Sequence, residues 1–466
     1  MTKPRLDGLI LLALGGITFL AVGATIAANS AIEMIDFRVL YYPARCLLHR
    51  GDPYNADQLL QMTMAETGDG SVAEAKAREV MRFIYFPTAF TLTLPFALLP
   101  WGPAHILWMA LIIASLIFAS YLIWSLAAEY DPVIAGALIG LFLFNSELLV
   151  VAGNMAGVAI SLCAIAVWCF VRQRFVTPGI LCLAVALIVK PHDSGLVWLY
   201  FLIAGGMFRK WALRSLLATF LLGLPGLLWT WIVAPHWITG LRANLVADAV
   251  RGGTNDPGLT STGAHGLGMM VNLQTVFSPF WAEPRFYNSA TWVVFGVLLL
   301  IWAVATIRVR ASTPEVWLAL AVVAPLTMMP FYHRQQDTRL LLLAIPACAM
   351  LWAKRGAVGR SALFITFAAV LLIGDIPWII LLNLIGRLQL PANWLTEHIL
   401  IAVQIFPVPL ILLATCIFYL WIYVRHCSTG RLETQVSQDL DRHSSTGSAM
   451  AREPSRLEHG NTDRTG

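Results

Sequence analysis

The side chains able to do chemistry gather in four short stretches of this sequence. Residues 31–54, AIEMIDFRVLYYPARCLLHRGDPY, hold Asp36, Arg38, Arg45, His49, Arg50 and Asp52 among aromatics. KPHD, Lys190 to Asp193, interrupts two apolar runs, a polar loop runs from Asn255 to His265, and YHRQQDTR spans Tyr332 to Arg339. Each mixes a potential base with potential anion binders. A carboxylate beside water at a membrane surface can deprotonate an incoming hydroxyl, while Arg, Lys and His hold a phosphate leaving group as its bond breaks. That is the machinery for group transfer from a lipid phosphate.

Asp36 is the preferred base, because it follows the first apolar run directly and can meet both water and a headgroup. The plainer alternative is a solvated helix-end carboxylate paired with Arg38. Arg38 and Arg45 either hold phosphate or anchor the loop. Lys190, between apolar runs and next to Pro191, is read as a phosphate partner rather than a snorkelling lysine. His333 and Arg334, at a span end after Pro330, bind phosphate or sugar or else cap the interface. Glu33 and Asp36 with His49 or His333 are available metal ligands, but they lack compact ligand spacing, so no metal is expected. Glu147, a lone acid in an apolar run, would suit a proton relay in a transporter.

These residues need a membrane scaffold to position them. The chain has 466 residues, 58% hydrophobic and 12% charged, and its mean hydropathy of +0.72 lies outside the range of soluble domains. Apolar runs long enough to cross hydrocarbon recur at about 8–29, 104–126, 132–151, 155–171, 179–189, 195–208, 213–233, 289–307, 315–330, 339–353, 361–383 and 398–424. An all-α polytopic membrane protein with about twelve transmembrane helices follows. Alternating segments that would signal a β-barrel are absent. The modest net charge of +5 is dispersed, which argues against a nucleic-acid partner. The seven cysteines show neither a disulfide framework nor zinc spacing, and no Walker or dinucleotide signature is present.

Lys3 and Arg5 put the N-terminus in the cytoplasm. The clusters Arg172 and Arg174, Arg209 with Lys210 and Arg214, Arg308 and Arg310, Lys354 and Arg355, and Arg425 can then all be cytoplasmic only if one short segment fails to cross. The proline-broken piece at 87–100 is the simplest candidate, and 179–208 acting as one interrupted element is the other. Both termini are expected in the cytoplasm, with outer loops at 31–86 and 234–288 on the opposite face. Residues 1–424 form the transmembrane domain, and the Ser, Thr and Arg-rich tail at 425–466 is expected to be disordered. Ala56 to Arg82 reads as an interfacial helix. The outer loop carries Arg38, Arg45, Arg50, Lys76, Arg78 and Arg82 where topology disfavours cations, which suggests an anionic ligand or contact with lipid phosphates.

DFRVLYYPARCLLHRGDPYN resembles the segment after the first span in family 87 glycosyltransferases of the GT-C superfamily, polyprenol-phosphate-mannose-dependent α-mannosyltransferases of bacteria. Tyr85, Phe86 and Pro87 resemble that family's tyrosine-proline segment, Gly153 and Asn154 its glycine-glutamine turn, Lys190 and Pro191 its lysine-proline break, and Pro330 to Arg339 its histidine-bearing outer turn. Thr88, Asn154 and RQQD depart from the family pattern. The resemblance implies a GT-C fold with a large first extracytoplasmic loop and an inverting active site on the outer face of the bacterial inner (plasma) membrane. It implies Asp36 as general base, with Lys190 and His333 contacting the donor phosphate or sugar. The donor would be a polyprenyl-phosphate hexose, mannose by resemblance, and the acceptor a lipid-linked or cell-surface glycan, with no further cofactor. A lipid-linked sugar transporter or flippase is the alternative, although no repeated halves are visible.

Overall fold

A backbone inside hydrocarbon must satisfy its own polar groups, so the apolar runs of this chain fold as helices. The structure, a computed structural model, describes residues 2–29, 34–67, 82–253, 255–258, 270–281, 283–309, 313–374, 380, 384 and 407–427. Among these, six helices are long and apolar enough to cross a membrane: Lys3–Thr25, Trp101–Ala127, Pro132–Ala152, Gly206–Val233, Pro284–Arg308 and Pro407–Cys427. Four shorter apolar helices, Ala156–Arg172, Val176–Val189, Pro314–Thr327 and Ala357–Leu372, lie between them. No strand occurs among the described residues, and the isolated bridge between Met270 and Arg334 is the nearest approach to one. The protein is an all-α membrane protein.

The helices sort by exposure. Gly206–Val233 turns Leu217, Phe220, Leu221, Trp231 and Ile232 outward, and Pro284–Arg308 does the same with Val293, Val297 and Leu300. Such apolar surface suits lipid. By contrast, Val316 to Ala324 and Leu340 to Leu351 are buried without a break, so these segments form the centre of the bundle.

Two segments differ from what hydropathy alone suggests. The proline-broken piece forms a 3₁₀ turn at Pro87–Ala89 and an α-helix of eight residues at Phe90–Ala97. Eight residues rise about 12 Å, well short of a hydrocarbon core of about 30 Å, so this helix cannot cross. The run at 339–353 is divided between a ten-residue 3₁₀ helix, Gln335–Ala344, and the α-helix Ile345–Ala353. A 3₁₀ run of that length is uncommon, and side-chain bonds both within it and to distant segments hold it. The Thr338 hydroxyl donates to the Gln335 carbonyl at 2.6 Å, and the Arg339 guanidinium donates to the same oxygen at 2.7 Å and to Ile373 O at 3.1 Å. It also reaches the Asn145 carbonyl, so Arg339 ties this helix to the end of Pro132–Phe144.

Among its described residues the 31–86 loop contains the helices Ile35–Leu48 and Ala56–Thr67. The remainder of the expected interfacial helix, including Lys76 and Arg78, lies outside the described residues, as do Glu33, His265, Arg310 and the tail beyond residue 427.

The N-terminal helix crosses Pro132–Phe144 at backbone contact. A Cβ at Gly8 would strike the Pro132 carbonyl, one at Gly15 the Gly140 backbone and one at Gly136 the Gly8 carbonyl, while one at Gly140 would lie 2.6 Å from Leu11 O. Small residues spaced by four let helix backbones approach in this way where no hydrophobic driving force separates helix from lipid. Gly140→Leu is therefore expected to lower the thermal midpoint of the detergent-purified protein, with a cost of about 1–3 kcal/mol for overpacking. Gly296→Ala, where the added methyl meets nothing within 4 Å, should leave the midpoint unchanged or raise it.

Candidate functional site

Asp36 lies in the first turn of Ile35–Leu48, and that turn is seated on the Gly153–Asn154 corner. Met34 N donates to Val151 O at 3.0 Å. Gly153 takes a left-handed φ of 65° with space for a hydrogen only, because a Cβ there would be 2.9 Å from Phe37 Cβ. Trp108 Nε1 donates to the Gly153 carbonyl at 2.8 Å, and the Phe37 ring stacks on Trp108 and Trp101 at 4.8 and 5.6 Å. Asn154 Oδ1 accepts from Ala156 N at 2.8 Å, which fixes its amide so that Nδ2 donates to Asp36 Oδ2 at 2.7 Å. Asp36 as a residue is only partly buried, yet its carboxyl group is enclosed by protein. That desolvation raises its pKa above the usual carboxylate range against the opposing pull of Asn154, Arg334 and Lys190.

Lys190 sits in the break between Val176–Val189 and Pro191–Ala204 and is 4% exposed. Its ammonium is hydrogen-bonded to Asp337 Oδ1 and stands 3.5 Å from Asp193 Oδ2. Burial alone would lower its pKa, but the Asp193 and Asp337 carboxylates outweigh burial and raise it, so Lys190 stays charged. The second Asp337 oxygen accepts from Arg334 N at 2.9 Å and starts the 3₁₀ helix. Arg334 donates to the Tyr332 hydroxyl at 2.8 Å and to Asn255 Oδ1 at 2.6 Å, and Asn255 donates in turn to Asp248.

His333 is fully buried. Its backbone carbonyl accepts from Val271 N at 2.9 Å, and its Nε2 lies 3.3 Å from Asp193 Oδ1. Burial works against the imidazolium, but contact with Asp193 prevails and raises the pKa of His333.

The geometry thus gathers Asp36, Lys190 and Arg334 into one electrostatic neighbourhood, with Asp337 acting on the same carboxyl group. It does not bring Arg45 there. Arg45 lies nine positions beyond Asp36, about 13 Å along the helix, and pairs with Glu66 at 2.7 Å. Arg38 is 4.6 Å over the Trp101 ring and buried. Arg82 donates to Ala247 O at 3.1 Å. Glu147 is buried in its span.

Several site residues were not singled out by the sequence reading: Asp193, Asp337, His192, Asn154 as the partner of Asp36, and the hydroxyls of Tyr85 and Tyr332. Both tyrosines lie within the influence of Lys190 and Asp36. The available signal was that each falls inside a polar motif flanked by apolar sequence, where an ionisable group needs a partner.

A helical membrane scaffold that holds Asp36 in the field of Lys190 and Arg334, with Asp193 and Asp337 on Lys190, defines a polytopic membrane protein with a buried charged site. Residues 83–264, which include Tyr85, Asn154, Lys190 and Asn255, match the family model described as Glycosyltransferase family 87. No curated protein and no solved structure matches the chain.

Replacing Lys190 by Met leaves the Asp193 and Asp337 carboxylates buried without their cation, and breaking a buried pair in this way costs about 3–5 kcal/mol. Thermal unfolding of purified Lys190→Met should show a large loss of stability, and adding Asp337→Leu should recover part of it. Equal midpoints for the single variant and the parent would refute the assigned pairing.

Proposed function

We propose that this protein is a membrane glycosyltransferase that moves a hexose, with mannose as the first candidate, from a polyprenyl-phosphate donor to a lipid-linked or cell-surface glycan, with inversion at the anomeric carbon. The observation that carries the reading is the placing of the Asp36 carboxyl beside Asn154 and in the field of Lys190 and Arg334. A base is thereby held next to cations suited to a phosphate. The acceptor oxygen attacks the anomeric carbon, the bond from that carbon to the phosphate oxygen breaks with its electron pair going to the phosphate, and the acceptor proton passes to Asp36. Lys190 and Arg334 stabilise the departing polyprenyl phosphate, and His333 contacts the donor phosphate or sugar. Arg38 and Arg45 support the loop that carries Asp36. In this reading the chain has the GT-C arrangement of about twelve spans, with the site on the extracytoplasmic face of a bacterial plasma membrane.

The supporting facts are the family match over 83–264 and the chemistry of the enclosed side chains. Purified protein in detergent or liposomes, given a labelled polyprenyl-phosphate mannose and a glycolipid acceptor, should form a glycosidic product. Asp36→Asn should reduce transfer by about 10²–10⁴-fold, the usual contribution of a positioned base, while donor binding persists. Undiminished product from Asp36→Asn would remove Asp36 from the mechanism, and movement of the donor across the bilayer without product would favour a transporter.

The pH dependence has a defined sign. Asp36 works as a base only when ionised, and its raised pKa means that kcat/KM climbs with pH through a value above the ordinary carboxylate range. Asn154 donates the hydrogen bond that lowers that pKa. In Asn154→Ala the ascending limb of the kcat/KM profile should therefore move to higher pH, a shift that mere loss of packing would not produce.

A further inference from the structure

His192, Asp193, His333 and Asp337 each offer one ligand atom, and these four atoms lie within 4.8 Å of one another. His333 Nδ1 is 2.9 Å from the Phe331 carbonyl oxygen. A carbonyl can only accept, so Nδ1 carries the hydrogen and the neutral ring keeps its lone pair on Nε2. That lone pair faces Asp193 Oδ1 at 3.3 Å, and His192 Nε2 approaches the same oxygen at 3.7 Å. Both Nε2 atoms and both Asp193 carboxylate oxygens are buried, and none makes a hydrogen bond.

Lone pairs do not converge in a protein interior unless something positive lies among them. A proton on His333 Nε2 would answer one contact and leave His192 unanswered. A divalent ion answers all three. We propose that His192, Asp193 and His333 form a divalent-cation site of the zinc type, with Asp337 at its edge.

Three further observations fit. Four-coordinate zinc with bonds of about 2.0–2.1 Å separates adjacent ligand atoms by roughly 3.3–3.4 Å, and the two contacts to Asp193 Oδ1 lie close to that. The Phe331 carbonyl on His333 Nδ1 is the outer partner that metal-bound histidines need to fix tautomer and ring orientation. Lys190 stands on the other Asp193 oxygen, so the ammonium and the ion use different atoms of one carboxylate. Two imidazoles and one carboxylate favour zinc or a neighbouring first-row ion over magnesium or calcium. Three protein ligands also leave a fourth position open. An anionic oxygen of the donor is the natural occupant of that position, and this role rests on the function proposed above, whereas the binding itself does not.

Such a site is not legible in the sequence, because its ligands come from two turns more than 130 positions apart. The test uses untagged, chelator-stripped full-length protein in detergent, titrated with Co²⁺ and read by visible absorption. The expected result is an intense tetrahedral-type band that saturates at one ion per chain, is displaced by Zn²⁺, and is lost in both His192→Ala and His333→Ala. His192 is the safer position, since its side chain is 24% exposed and its removal leaves the core intact. Absence of a band together with no stoichiometric zinc retained by the parent overturns the proposal and leaves a proton on His333. A band unchanged in His192→Ala overturns it as well, because the ion is then held elsewhere. The readout is independent of transfer: a bound ion without glycosidic product defeats the proposed function alone, and product formed by metal-free protein with no Co²⁺ band defeats this inference alone.

Discussion

The buried ammonium of Lys190 is the constraint on which the centre of this protein depends. Removing a lysine charge from water costs several kcal/mol, and at 4% exposure Lys190 recovers that chiefly from Asp337 and Asp193. The consequences spread along the chain. Asp337 must present one oxygen to Lys190, which leaves the other for the backbone of Arg334. With Arg334 fixed there, its guanidinium is aimed at Tyr332 and Asn255, and the loop around Asn255 is drawn to the bundle. Asp193, held in the first turn after the helix break, lies beside His333. The buried charge at the Pro191 helix break is thus tied to the start of the 3₁₀ helix and to the position of the second histidine.

Asp36 is held by a different kind of force. The Arg45–Glu66 pair lies nine positions away and does not seat the turn that carries it. Shape does so, through the Phe37 ring between Trp108 and Trp101 and the hydrogen-only clearance at Gly153, and one amide aims the carboxylate. The electrostatic half of the site and the sterically seated half therefore meet only through the field that Lys190 and Arg334 exert on Asp36. Such a division suits a site whose substrate phosphate must displace no existing salt bridge at the base, because Asp36 spends its hydrogen bond on a neutral partner.

How much of this was legible in the sequence follows from the range of the interactions. Apolar runs are read locally, so Trp101–Ala127, Gly206–Val233 and Pro284–Arg308 lie where hydropathy puts them, with ends shifted by a few residues. Asp36, Lys190 and His333 were visible because a charge or a histidine beside apolar sequence needs an explanation. Their partners were not. Asp337 is 147 positions from Lys190, and nothing in YHRQQDTR says which polar residue turns inward. Arg45 looked like Arg38 in sequence, yet Glu66 neutralises one and the Trp101 face covers the other. The 3₁₀ helix escaped because its cause, Arg339 bonding to Ile373 and Asn145, is tertiary.

The charges around Asp36 carry one more implication. Asp36, Asp193 and Asp337 are three acids, and Lys190 and Arg334 two cations, acting on one another at close range. With both histidines neutral and Asp36 in the base form proposed above, these five groups carry one surplus negative charge. A phosphodiester, itself an anion, would be repelled by that balance in an interior where Coulomb forces are only weakly screened. One additional positive charge brings the site to neutrality, and two make it attractive. A proton on His333 supplies the first amount and a divalent ion the second. In the transfer proposed above the leaving phosphate monoester gains negative charge while Asp36 gains a proton, so the demand for a cation grows as the reaction proceeds. A cation held by His192, Asp193 and His333, as proposed, would add its charge to the same cluster, on the carboxylate that Lys190 also faces.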